Sequence, residues 1–276
     1  MNRCLFSIFT MLLTASLSTA QAPMWQFRWQ PGEVLIYRVE HVSNASTVSD
    51  GTKAETKTKL NLTKRWKVIA VDATGISTLE LSLAALRWET VTPKGETLVY
   101  DSEDAAKSDS HLKEELGKYL GQANAILRVD PQGKVIEVKE SRFGPASRFE
   151  SEPPFAVVLP GEGPRADQTW ERSYDITLEP PQGTGEKFPA VQSYQCKTIV
   201  DAVVTIGLTT TARSLPDNAL DRIPLLEKQP TGTIVFDVQA GRMLSADLRI
   251  DKELTNYQGQ GSSYHIQSTY KEELQK

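Results

Sequence analysis

Leu35-Ile36-Tyr37-Arg38-Val39-Glu40 is the stretch on which the fold turns. Leu35, Tyr37 and Val39 point one way, and Arg38 and Glu40 point the other. That period of two belongs to an extended strand with one dry and one wet face. The pattern recurs. Leu79, Leu81 and Leu83 alternate with Glu80 and Ser82; Trp170, Tyr174, Ile176 and Leu178 share a face; so do Tyr264, Ile266 and Tyr270. Strands wetted on one side are the mark of antiparallel sheet, whereas buried parallel strands are apolar throughout. The expected fold is all-β, a curved antiparallel sheet with one or two short covering helices.

Turn signals fall between the strands. Asp72-Ala73-Thr74-Gly75, Asp130-Pro131-Gln132-Gly133 and Gln239-Ala240-Gly241 each offer a glycine where a hairpin needs positive φ. Ser110 to Leu120 reads as a helix closed by Gly121. Asp217 to about Ile223 reads as a shorter one stopped by Pro224. The order of elements then repeats, from about Trp25 to Ser141 and from about Pro160 to Glu273. Each copy opens on a strand carrying a tyrosine, passes a strand ending in Val-Asp (Val71-Asp72, Val200-Asp201), and finishes with a helix and a hairpin. This divides the chain into a first β lobe (21–142), a connector rich in Gly, Ser and Pro (143–164) and a second β lobe (165–276), the two lobes forming one domain around a shared core. The expected shape resembles a half-barrel built from two similar halves.

The first 20 residues read as a secretory signal peptide. Arg3 supplies the positive start, Leu5 to Leu17 the apolar run, and Ser18-Thr19-Ala20-Gln21-Ala22 the small residues for cleavage. Cleavage after Ala20 is preferred, because a cut after Ala22 would leave Pro23 first. The apolar run falls short of the roughly 20 residues that span a bilayer. No second long apolar stretch follows, so no transmembrane segment is expected in the mature chain. The expected location is periplasmic or extracellular. Cys4 leaves with the leader, and Cys196 alone cannot form an internal disulfide. Against 35 Asp and Glu stand 31 Lys and Arg, a net charge of −4. That acidic balance argues against a nucleic-acid binder.

Four segments together resemble an uncharacterised family of secreted bacterial β-proteins. They are Trp29-Gln30-Pro31-Gly32-Glu33, Val129-Asp130-Pro131-Gln132-Gly133-Lys134-Val135-Ile136-Glu137-Val138, Asp167-Gln168-Thr169-Trp170-Glu171 and Gly232-Thr233-Ile234-Val235-Phe236-Asp237. The resemblance implies secretion and an all-β fold, and carries no activity. The architecture is also similar, at the level of fold alone, to lipoprotein-carrier half-barrels, which hold acyl chains in a concave sheet.

No catalytic constellation is legible. His41, His111 and His265 have no metal-ligand spacing, and no cofactor is implied. His265 is expected on a wet face, and His41 at the rim of a dry one. Ser110-His111-Leu112-Lys113 has the Ser-x-x-Lys spacing of penicillin-recognising enzymes without their companion motifs, so Ser110 reads as a helix cap. The Gly-x-Gly doublets read as turns. Asn44-Ala45-Ser46 and Asn61-Leu62-Thr63 fit the glycosylation sequon. Glu114, Glu115, Glu272 and Glu273 read as solvated carboxylates. Two features remain. Lys57, Lys59, Arg65 and Lys67 form a basic stripe on the face of one strand opposite Leu60, Leu62, Trp66 and Val68; such a stripe suits an acidic partner or a solvated surface. Trp25, Phe27, Trp29 and Trp66 are the candidate ligand-binding aromatics. The leading expectation is a non-catalytic exported protein that binds a lipid, another apolar ligand or an envelope protein on a concave face. The alternatives are a fully packed interaction module and, third, a secreted hydrolase.

Overall fold

The computed structural model describes residues 24–142 and 144–276; the expected leader and both candidate cleavage sites lie outside the described residues. Twelve strands form one open antiparallel sheet. The first half contributes β1 (Val34–Ser49), β2 (Thr52–Val71), β3 (Ser77–Val91), β4 (Thr97–Asp101), β5 (Ala123–Val129) and β6 (Val135–Ser141). The second contributes β7 (Thr169–Leu178), β8 (Glu186–Val200), β9 (Val203–Ala212), β10 (Thr231–Asp237), β11 (Arg242–Thr255) and β12 (Ser263–Leu274). Their order is β6-β5-β3-β2-β1-β12-β11-β10-β9-β8-β7, with β4 paired to the far part of β3. The first and last strands therefore meet in the middle, Tyr37 opposite Leu274 and His41 opposite Tyr270. The edges β6 and β7 are consecutive in the chain. Each half is a meander with a helix inserted before its hairpin, α1 (Ser110–Gly117) and α2 (Ala219–Leu226).

The alternating residues assemble the core. Leu79 and Leu127, from β3 and β5, share one buried cluster with Tyr194 and Ile206, from β8 and β9. Those strands lie toward opposite ends of the order, so the sheet must curl its dry face inward. Two segments without strand pairing fill the concavity. The N-terminal segment brings Trp25, Phe27 and Trp29; the connector brings Phe149, Phe155, Ala156, Val157 and Leu159. Its composition suggests a linker, yet its apolar residues are part of the core.

Backbone hydrogen bonds fix the N-terminal segment across one end of the curl. The N–H of Phe27 donates to Pro131 O at 2.7 Å, and that of Arg28 to Gly241 O at 2.9 Å. It thus ties the β5–β6 hairpin to the β10–β11 hairpin. Gly133, in the first of these, has φ +90° and buried surroundings. A Cβ there would stand 2.3 Å from the Phe27 ring and 3.0 Å from Val157 O. Gly133→Ala is therefore expected to cost about 1–3 kcal/mol through backbone strain and contact together. Thermal unfolding of the mature protein checks this; an unchanged midpoint would mean that the segment is not docked.

Both helices differ from expectation in instructive ways. The cap of α1 is Asp109, not Ser110: its Oδ1 accepts from the N–H groups of His111 (2.9 Å) and Leu112 (3.2 Å). A carboxylate at that position also complements the helix dipole, which a hydroxyl does not. The helix ends at Gly117 rather than Leu120. In α2 the chain stays helical through Pro224 to Leu226. Losing one helical bond to proline costs about 3 kcal/mol. Burial of Leu225 and Leu226 against β7–β8 and β12 offsets it, at roughly 1.5–3 kcal/mol per leucine.

Candidate functional site

Strand β2 carries the feature that sequence reasoning passed over. Its even-numbered residues, Leu60 to Val68, face the concave side, and Lys64 sits among them opposite Tyr37 of β1. Only 2 % of its side chain is exposed. An ammonium has three protons to donate, and each finds an oxygen. Nζ donates to Glu152 Oε1 at 2.6 Å, to Tyr270 OH at 2.8 Å and to Glu272 Oε2 at 3.2 Å. Tyr270 in turn donates to the same Glu272 oxygen. Tyr270 and Glu272 come from β12, Glu152 from the connector.

Glu272 corrects an expectation. Its place near the C-terminus suggests a solvated carboxylate, yet it is fully buried. It follows Tyr264, Ile266 and Tyr270 on the same face, so strand parity carries it inward. Its Oε1 has no hydrogen-bond partner. Burial pushes its carboxyl above the usual range against the opposing pull of Lys64. Burial also acts on Glu152, but Lys64 and Arg148 outweigh it and hold that carboxyl low. Burial of Lys64 is likewise outweighed, by Glu152 and Glu272, so the ammonium stays charged. Burial, with Glu272 and Glu152, drives the Tyr270 phenol well above its ordinary value. The surroundings thus favour the charged forms of Lys64 and Glu152 and disfavour that of Glu272.

Beside the cluster lies a cleft of about 190 Å³ between the connector, the end of α2 and strands β1, β11 and β12. Pro153, Pro230, Leu248 and Ile250 supply apolar walls; Glu152 and Tyr270 join it to the cluster. Lys228, Glu227 and His41 also line it. His41 occupies the rim as expected, 2.8 Å from Ser268 Oγ. Burial lowers its imidazole below the ordinary 6.5. A histidine depressed in the folded state takes up its proton more readily when unfolded. It therefore supports the fold above the unfolded value and loses that support as pH falls through it. An NMR titration should place His41 below 6.5. A midpoint at or above that value would mean that the ring is solvated.

The candidate aromatics do not present a free face. Trp25, Phe27, Trp29 and Trp66 are all buried. Phe27 stacks on Trp29 with centroids 5.6 Å apart, and Trp66 meets Phe155 edge-on at 5.2 Å. Trp25 lies 5.5 Å from Trp170, whose Nε1 donates to Val158 O of the connector. The four belong to the main core, and none of them lines the cleft.

The basic stripe lies on the outer face. Lys57, Lys59 and Lys67 are exposed and Arg65 is half-buried. Lys57 pairs with Glu55 at 3.4 Å and Lys59 with Glu40 at 3.7 Å, exposed contacts of small energetic weight. Acidic neighbours thus interrupt the stripe. His265 faces outward and meets Asp251 at 2.7 Å. Cys196 is a buried free thiol.

A larger hollow, about 870 Å³, crosses the outer face of β7 to β11. Thr, Ser and Gln residues with Glu171, Lys197, Asp247 and Arg249 line it, together with Trp170, Tyr194 and Leu208, so its lining is more mixed than that of the cleft. Among the described residues no group of three or more His, Cys, Asp or Glu is placed to hold a metal ion, and no helix is long and apolar enough to cross a membrane.

No family model matches the chain, and no curated protein matches it. Among solved structures the chain is similar to that of DynF from the dynemicin biosynthesis pathway of Micromonospora chersina. The match covers 96 % of this chain and 92 % of that one, at 7 % identity and a TM-score of 0.23, too low to assign a shared fold or activity.

Proposed function

We propose that this is an exported, non-catalytic protein that binds an amphipathic ligand on the concave side of its sheet, in the cleft beneath the connector. The observation that carries the reading is the cleft itself, where Leu248, Ile250, Pro153 and Pro230 stand beside a buried, hydrogen-bonded charge cluster. An apolar hollow with a few convergent polar groups suits a molecule that is part chain and part headgroup. At about 190 Å³ it is smaller than the roughly 300 Å³ typical of small-molecule pockets. It holds a headgroup and a short length of chain, and a longer ligand requires the connector to shift. The leader-like first 20 residues support export.

A second reading draws on the dense packing of the candidate aromatics in the main core: a structural module that docks an envelope protein through its outer face. Native mass spectrometry of the mature protein, purified from its own envelope without detergent, separates the two. Ligand binding predicts an added mass, matching an amphiphile, that is lost on denaturation. A bare monomer would favour the module.

A further inference from the structure

We propose that the ligand is a monocarboxylic amphiphile, whose carboxylate takes the place of the Glu152 carboxylate on Lys64. This rests on the binding reading above and specifies its headgroup.

The three acceptors around Lys64 are not equivalent. Tyr270 and Glu272 are held by β12, a central strand paired on both sides. Glu152 belongs to the connector, outside the ladder. Its side chain is 28 % exposed, while those of Lys64 and Glu272 are 2 % and 0 % exposed. The exchangeable member of the cluster is therefore Glu152. It and Tyr270 also line the cleft, so a group entering there arrives beside the ammonium.

Charge then selects the headgroup. Exchanging one carboxylate for another leaves the charge around Lys64 unchanged and keeps all three of its protons bonded. An alcohol supplies an acceptor but no charge, and leaves a buried ammonium without its main counter-ion. A dianionic phosphate would bring a second negative charge close to Glu272, which is fully buried and paired with the same Lys64 ammonium. The apolar walls of Leu248 and Ile250 would receive the first carbons of the chain.

The test is calorimetric titration of the mature protein with octanoate and, separately, with 1-octanol, using the wild type, Glu152→Ala and Lys64→Met. The wild type is expected to bind octanoate about tenfold or more tighter than octanol. Glu152→Ala removes the internal competitor and should tighten octanoate by about tenfold while leaving octanol within twofold. Lys64→Met should abolish the preference for the acid. If Lys64→Met does not fold, Glu152→Ala and the alcohol comparison decide the matter. Equal binding of acid and alcohol, unchanged in Glu152→Ala, would overturn the carboxylate proposal and leave the amphiphile reading standing. No binding of either compound to any folded variant would count against both.

Discussion

Replacing Lys64 with methionine is expected to destabilise the mature protein by about 3–5 kcal/mol near pH 8, measured by urea unfolding. Methionine fills much of the same volume, so the loss is electrical. Glu272 is left fully buried with no cation, and Glu152 loses its shortest partner. The deficit has a signed pH dependence. Without Lys64 the Glu272 carboxyl is raised further in the folded state. A carboxyl raised on folding contributes most below its unfolded value, and that contribution is lost as pH rises through the folded one. The wild type behaves oppositely at Glu152, whose lowered carboxyl supports the fold above the unfolded value and ceases to do so as pH falls. The gap between variant and wild type should therefore narrow as pH drops toward 4.5, the ordinary glutamate value. Glu272→Gln should cost far less than Lys64→Met, because Glu152 still neutralises the ammonium. In the double variant the two changes should be non-additive, with part of the loss recovered. An additive double variant, or a Lys64→Met deficit that widens on acidification, would mean that the cluster is not the coupled unit described.

Phe155→Ala carries the second large effect, about 3–5 kcal/mol, the range for removing a buried phenyl ring. The residue lies in the connector, where a plain linker would tolerate the change within about 0.5 kcal/mol. Here the ring packs edge-on against Trp66 at 5.2 Å and lies 6.4 Å from Phe27. One substitution therefore removes contacts to β2 and to the N-terminal segment together. Thermal unfolding, with circular dichroism to confirm retained sheet, gives the result. A near-neutral effect would mean that the connector rests on the surface and that the concavity beneath it is open.

Alternation made the sheet legible. The dry faces of β1, β3 and β12 follow directly from Leu35 to Val39, Leu79 to Leu83 and Tyr264 to Tyr270. The same alternation held the keys to the site. Lys64 interrupts the series Leu60, Leu62, Trp66, Val68 at a position whose parity points inward, and Glu272 extends the series that ends at Tyr270. A charge inside an otherwise apolar face is informative because burying it alone is costly. What parity could not supply is convergence. Lys64 meets Glu152 across 88 positions and Glu272 across 208, and both contacts depend on where β12 and the connector come to rest. The pairing of β1 with β12 is a long-range event that local pattern does not encode. Trp25, Phe27 and Trp29 illustrate the converse. They alternate as a strand would, yet they lie in an unpaired segment, because the hairpin carbonyls of Pro131 and Gly241 take the N–H groups of Phe27 and Arg28 in place of a ladder.

The cleft beneath the connector is the binding site we propose. Photo-crosslinking tests it directly, with a diazirine-bearing medium-chain fatty acid applied to the mature protein and the labelled peptides mapped by tandem mass spectrometry. Label concentrated at residues 151–153, 248–250 and 268–270, and competed by unlabelled fatty acid, is the predicted result. Label on the outer groove at residues 193–197 and 231–233, or label that unlabelled fatty acid does not displace, would contradict it.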